Sequence, residues 1–398
     1  MAFTLDTPAA LATIFDAARP LGDELAYALG LDHARHGLRP PAELLLAHPP
    51  LRRGWEAGRL AFAGRTRAAT PQARQWLLLR LEAGLQGHHV ELLEVTPHYL
   101  AQLGASHCPI TRHPLSASAA SGQAGAAAAE AGRISRVCEQ AAYAAGNLAH
   151  LGDAAIAAKA GLHWQEAFAR AAEVMDGRAS RVAASLSAGA WARLGVLLSF
   201  VTEMPHERAA RLPLLVLPPN RLRLLNPVQG LQALVTLQLA RSGWSQRLPA
   251  FEALLPAGPL RQDFKDFFLG LLTRALALGR PDAPAAWRHA LEDAWRDPRV
   301  LQAWTRFALA LGAERCERLL DRAAAEPGLC SGQRLHVQSA EQATEAWSLQ
   351  TGGYRASRLA GLDDLDSLAA ARPPRRRPVP AEADLPLQHC LPLEPLSA

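Results

Sequence analysis

Residues 106–115 read SHCPITRHPL and bring together a cysteine and two histidines, side chains that commonly hold transition metals. His107, Cys108 and His113, with Cys138 downstream, could make a four-ligand set. The spacing argues against it, because structural zinc is usually held by two ligand pairs at short, regular intervals. His-Cys-x4-His offers no second pair. The first expectation is therefore an ordinary turn, with a zinc knuckle as the alternative and no metal or other cofactor assigned. The five cysteines (Cys108, Cys138, Cys316, Cys330 and Cys390) include no Cys-x-x-Cys pair and read as free thiols in a reducing compartment.

A second segment changes the meaning of the first. After a small-residue stretch comes RISRVCEQAAYAAGNLAHLGDAAIAAKAG, residues 133–161. Together, Cys108-Pro109-Ile110-Thr111, the strand-like Arg133–Cys138, the Tyr143-to-Asn147 spacing and the closing Lys159 resemble a bacterial variety of HNH endonuclease. In that family a Cys-Pro-x-Thr turn precedes a strand of the type Ser-x-Asp-Arg-Ile-Asp. A Gly-Tyr-x-x-x-Asn-Val turn follows, then a helix ending in Asn-x-x-Lys. The likeness covers about 55 of 398 residues and implies a small ββα-metal module over residues 105–161, with Cys108, Pro109, Thr111, Tyr143 and Asn147 as its structural motif.

HNH chemistry is metal-assisted hydrolysis, in which a divalent ion stabilises charge on the phosphate and a positioned base activates water. Here the two strand aspartate positions hold Ser135 and Cys138, and the helical asparagine position holds Ile156. A hydroxyl and a thiol are poor ligands for a hard cation, and isoleucine is none. The resemblance therefore implies a module without catalytic residues that could still hold DNA or RNA, since phosphate contacts need only cations at loose spacing. Arg133, Arg136 and Lys159 would supply them. Two alternatives stand beside this reading. One is a helical protein-interaction scaffold with a relic nuclease fold. The other is an active metal-dependent nuclease whose ligands have moved to His150 and Asp153.

Seven arginines between Arg52 and Arg80, interleaved with Trp55 and Trp76 and opposed only by Glu56, extend the basic character upstream. They read first as a solvated helix face, and second as a nucleic-acid patch through Arg65, Arg67 and Arg74. His88 and His89 read as a surface pair, because neighbours on a helix point about 100° apart. No phosphate-binding P-loop, dinucleotide fingerprint, Gly-x-Ser-x-Gly elbow or His-Glu-x-x-His motif occurs.

The elements that must position these residues are mainly helical. Thr70 followed by Pro71 begins a helix over 70–85, with Trp76, Leu79 and Ala83 on one face. The same grammar recurs over 282–297, where Trp287, Leu291 and Trp295 recur every four residues, and Pro298 closes that segment. Helical periodicity also marks 8–29, 161–176, 182–203, 229–242, 262–278, 300–312 and 313–325, and no repeat of fixed period appears. The expected organisation is an N-terminal helical region (1–104), the ββα module (105–161) with a low-complexity insert (116–132), and helices packing on it (162–211). A proline-rich connector (212–228), a C-terminal helical region (229–355) and a disordered tail (356–398) follow.

Composition sets the frame: 49% hydrophobic and 20% charged residues suit a globular protein of 398 residues. The longest apolar run, 194–201, is far shorter than the roughly 20 residues that span a bilayer. With no signal-peptide pattern at the N-terminus, the expectation is a cytoplasmic protein away from membranes. The formal charge of +5 rests almost wholly on arginine, since Lys159 and Lys265 are the only lysines among 42 basic residues. That skew, beside abundant alanine, fits a GC-rich coding bias, so the charge is weak evidence for nucleic acid.

Overall fold

The computed structural model describes residues 21–116, 130–240, 243–282, 284–326, 329 and 336–337. The expected helix start before residue 21, most of the low-complexity insert and the tail lie outside them. Among the described residues the protein is mainly α, with fifteen α-helices and five short strands. No described helix is long and apolar enough to cross a membrane. The described chain divides into two compact units, one holding 21–108 and 113–153, the other holding 109–112 and residues from 154 onward.

The first unit opens with helices α1 (Asp23–Arg35), α2 (Ala42–Ala47) and α3 (Pro49–Ala61). α1 and α3 touch backbone to backbone. A Cβ on Gly30 would fall 2.2 Å from the Leu51 carbonyl oxygen, and one on Gly54 would fall 2.0 Å from that of Tyr27. Only glycine permits that approach. Helix α4 (Pro71–Leu85) starts as its sequence dictates, with Thr70 accepting from the Ala73 amide and Pro71 at the first turn. Its Leu77 and Leu81 join Leu29 and Leu51 in one apolar cluster. Its Leu79 and Ala83 join Val95, Leu100, Tyr143 and Leu148 in another. Helix α5 (Pro97–Leu103), capped by Thr96, leads to the sheet.

That sheet has three strands. β1 (Leu115–Ser116) runs parallel to β2 (Glu130–Arg136), and β2 pairs antiparallel with β3 (Leu148–Gly152) through Ile134 opposite His150. The strand begins at Glu130, three residues before its sequence-expected start, and takes the end of the low-complexity insert into regular structure. β3 passes directly into α6 (Asp153–Lys159). His88 and His89 lie in the turn after α4, not on a helix, because Gly87 at φ +71° ends it.

The second unit continues with α7 (Trp164–Met175), α8 (Ala188–Phe200), α9 (His206–Ala210), β4 (Arg223–Leu224) and α10 (Pro227–Leu239). α11 (Trp244–Leu254), α12 (Pro259–Leu278), α13 (Pro284–Ala294), α14 (Pro298–Leu311) and α15 (Ala313–Ala325) complete the helices, and β5 (His336–Val337) pairs parallel with β4. From Ala190 to Phe200 every residue of α8 is buried, which explains its unbroken apolar run without a membrane. Phe264, Phe267, Trp295, Trp304 and Phe307 meet in an aromatic cluster, with ring centroids 4.9 Å apart for Phe267 and Trp304. The stretch read as a connector is non-helical up to Asn226, after which α10 begins, but Leu212 to Leu217 are buried and held within this unit. Gln232 Nε2 donates to the Leu212 carbonyl at 2.7 Å, and the Leu217 amide donates to Glu292 Oε1 at 3.0 Å. Prolines break the periodicity there without making the segment a linker.

Candidate nucleic-acid interface

The turn at 106–115 is closed by its own backbone. The Cys108 amide donates to His113 O and the Leu115 amide to Ser106 O, both at 2.9 Å. Cys108 is buried, and its Sγ accepts from the Gly152 amide at 3.4 Å, so the thiol joins the turn to the end of β3. His107 Nδ1 lies 3.0 Å from Ser106 Oγ, and His113 is exposed. Among the described residues no group of three or more His, Cys, Asp or Glu side chains is placed to hold a metal ion. At the tip, Pro109 and Thr111 are half-buried, and Ile110 is fully buried.

Asn147 is the best-defined of the motif residues. It is fully buried between β2 and β3, where its Oδ1 accepts from the Cys138 amide at 2.8 Å. Its Nδ2 donates to the Cys138 and Ala142 carbonyls, each at 3.0 Å. One amide thus closes the loop from 138 to 147, as only a side chain with both donor and acceptor can. Tyr143 sits in that loop and bridges to the turn after α4, its amide donating to His89 O and its carbonyl accepting from the Glu91 amide. Burial raises its phenol, although Arg136 lies over the ring at 4.8 Å and opposes the rise. From the far side, Tyr99 Oη accepts the Gly146 amide at 2.8 Å.

The cations assigned from sequence have unequal fates. Arg133 stands half-exposed on β2, its Nε 2.6 Å from Asp153 Oδ1. Arg136 is spent on structure, with Nη1 donating to the Glu139 and Ala141 carbonyls at 2.8 and 3.0 Å. Lys159 is 1% exposed, which removes it from surface phosphate contact. The reason is its place in the last turn of α6, on the side where Ala155 and Ala158 are also buried. Arg65 and Arg67 are exposed between α3 and α4, whereas Arg74 is half-buried and donates to Ala69 O at 3.3 Å.

The catalytic positions are filled by groups with other tasks. Ser135 Oγ points to the Arg136 carbonyl at 3.3 Å, Cys138 Sγ to Gln140 Oε1 at 3.4 Å, and Ile156 is half-buried. His150 accepts the Ala105 amide on Nδ1 at 3.2 Å, and the backbone of Gly132 bonds the same ring. Its position is tight, since a Cβ on Gly132 would lie 2.5 Å from His150 Nε2. Burial lowers its basicity despite those bonds. Asp153 faces a guanidinium where a divalent ion would need it. This donor set does not fit a hard cation.

Sequence reasoning missed Glu82. This α4 side chain is largely buried near Arg133 and Asp153, with Oε1 lacking a hydrogen-bond partner. Burial raises its carboxyl, Arg133 opposes that and Asp153 adds to it. Only its acidic type inside an otherwise apolar face, LLLRLEAGL, could have flagged it.

Comparison with family models, with curated proteins and with solved structures finds no match to this chain.

Proposed function

We propose that residues 105–161 contain a nuclease-derived module that binds nucleic acid without cleaving it. The observation that carries this reading is the strand–strand–helix order at the residues the motif names, with the loop between the strands held by Asn147. The ligand work in an HNH site falls to side chains that are here a hydroxyl, a thiol and an isoleucine. Asp153 is neutralised by Arg133, and His150 is held by backbone on both sides. Both residues of the relocated-ligand alternative are thus engaged elsewhere, and the reading keeps the non-catalytic form. Phosphate contact falls to Arg133, Arg65 and Arg67, the assigned cations that keep surface exposure.

The test is fluorescence anisotropy with labelled single- and double-stranded oligonucleotides across a salt series. Three phosphate contacts predict a log–log salt slope of about −2 to −3 on duplex DNA. Arg67→Gln and Arg133→Gln are each expected to reduce the slope by about one. No salt-dependent binding to any oligonucleotide would sink the proposal. Plasmid nicking in Mg²⁺ or Mn²⁺ that disappears in Asp153→Ala would replace it with the catalytic alternative.

A further inference from the structure

A cluster in the second unit has a charge imbalance that its own residues do not resolve. Arg193 and Arg296 approach the first turn of the 13-residue helix α8, and Arg112, from a distant part of the sequence, adds its charge beside Arg193. Two acids serve them. Arg112 takes both oxygens of Asp293, at 2.7 and 2.9 Å, and the Oε2 of Glu292 at 3.1 Å. The other oxygen of Glu292 is taken by the Leu217 amide and by Arg288. Arg296 is left with a loose 3.5 Å approach of Nε to Asp293, without a hydrogen bond on that nitrogen.

Arg193 is the less expected of the two. Its side chain is 6% exposed, and Nε donates to the Ile110 carbonyl at 2.7 Å. Neither of its terminal nitrogens has a hydrogen-bond partner among the described residues. Those nitrogens leave up to four N–H groups for an acceptor from outside the chain. Both unmet groups converge on one place. A Cβ on Gly189 would fall 2.7 Å from Arg296 Nη2 and 3.5 Å from Arg193 Nη1. Gly189 is the second residue of α8, so the cradle lies at the helix's positive end. Ser187 caps only the Ala190 amide, at 3.2 Å. The amides of Ala188 and Gly189 donate to no acceptor among the described residues.

We propose that Gly189, Arg193 and Arg296, with the first amides of α8, form a binding site for a phosphate-type oxyanion. Two guanidiniums and a free helix N-terminus supply charge-assisted donors to a tetrahedral anion, and the missing Cβ at Gly189 lets the Arg296 guanidinium lie close against that N-terminus. The crowding of like charge agrees with this, since burial and then Arg112 and Arg296 bring the Arg193 guanidinium down to about 10. An anion in the cradle relieves that crowding. The site borders the turn at Ile110 and Arg112 but uses none of the cations assigned to the proposed module, and it does not depend on that module's function.

The test is calorimetric titration of the full-length chain with inorganic phosphate, against chloride at matched ionic strength. Saturable binding is expected, and Arg296→Gln is expected to weaken it by about tenfold or more. Arg193→Gln removes a buried group and risks the fold, so Gly189→Ala is the deciding variant. Alanine favours the helix, but its methyl would fall 2.7 Å from Arg296 Nη2 and push that guanidinium away, so binding should fall while the melting temperature holds or rises. Absence of phosphate binding to the wild type, or binding unchanged in both Arg296→Gln and Gly189→Ala, would overturn the proposal. A parallel anisotropy arm identifies the source of the anion. Oligonucleotide affinity lost in Gly189→Ala assigns a nucleic-acid backbone phosphate, and oligonucleotide affinity retained assigns a free phosphate or phosphomonoester.

Discussion

Arg112→Ala should destabilise the second unit measurably. Its guanidinium makes three hydrogen bonds to two acids, and the Glu292 side chain is only 3% exposed. Removing one partner of a buried ion pair costs about 3–5 kcal/mol when the other is stranded. Glu292 keeps the Leu217 amide and Arg288, and Asp293 is 31% exposed, so the expected loss here falls to about 2–3 kcal/mol. The backbone offers an internal control. Arg112 sits at φ +64°, where any Cβ is strained and glycine is not. Arg112→Gly should therefore be no worse than Arg112→Ala, and better by up to about 1 kcal/mol. Urea unfolding followed by tryptophan fluorescence reads both, since Trp287, Trp295 and Trp304 are buried in this unit. The pH dependence has a definite sign. Burial would raise the Asp293 carboxyl, but the bonds and charge of Arg112, with Arg296 and Arg193, hold it below the usual range. Its contribution is full above the unfolded value near 3.9, roughly, and is lost as pH falls through the folded value. His289 is held to about 4 by burial and by the Arg112 charge, so removing Arg112 also spares the variant part of its acid destabilisation below about pH 6.5. The difference between wild type and Arg112→Ala should thus be largest at pH 7 and shrink with acid. A penalty under about 0.5 kcal/mol at pH 7 would refute the reasoning, as would one that grows with acid.

Two further outcomes follow from buried polar groups in the first unit. Asn147→Leu strands the Cys138 amide and the Cys138 and Ala142 carbonyls and should cost about 3 kcal/mol or more. Asn147→Asp keeps the acceptor but turns an oxygen toward both carbonyls, so its penalty should grow as pH rises through carboxyl ionisation. The protection factor of the Cys138 amide measures both, and an equal protection factor in Asn147→Asp at pH 5 and pH 8 would contradict the assignment. His33 is 1% exposed, with Nδ1 2.7 Å from Leu29 O, and burial first of all brings it down to about 4. Its neutral form contributes stability that is complete above about pH 6.5 and lost as pH falls toward 4, roughly 3 kcal/mol in all. His33→Leu should flatten that acid limb in a denaturation series, and an unchanged limb would exclude His33 as its source.

The helices were legible where their ends carry side-chain chemistry. Thr70-Pro71 starts a helix in both sequence and structure, and Asp297-Pro298 not only ends one segment but caps the next, with Asp297 Oδ1 accepting the Arg299 amide. Short helices such as α2, α5 and α9 went unread because six or seven residues, or five, hold too few apolar positions to show a period. Burial of non-periodic sequence was not legible at all. Nothing in LPLLVLPPN distinguishes a linker from a core segment until Glu292, far along the chain, supplies an acceptor to Leu217. Lys159 shows the same limit in reverse. A lone cation among alanines reads as surface, yet the helix end that carries it is buried.

Arginine content misleads here for a physical reason. A delocalised, weakly hydrated guanidinium tolerates burial and stacks on aromatic faces, so a chain rich in arginine spends it on architecture. Arg80 is 2% exposed, paired with Asp32 at 2.5 Å and stacked 4.5 Å from the Trp76 ring. Arg59 and Arg39 flank Trp55, Arg35 lies over Phe62, and Arg136 covers Tyr143. The interleaving of arginine with tryptophan between residues 52 and 80, which in sequence resembles a stacking surface for bases, is largely the protein stacking on itself. The cations that matter for an anionic partner are then those left over after this internal pairing. In the first unit they include the exposed Arg65 and Arg67 and the half-exposed Arg133, which must give up Asp153 to reach a phosphate. In the second they include Arg193 and Arg296, whose nearby acids are already committed to Arg112. An electrostatic search of such a chain has to subtract the architectural arginines before it counts the rest.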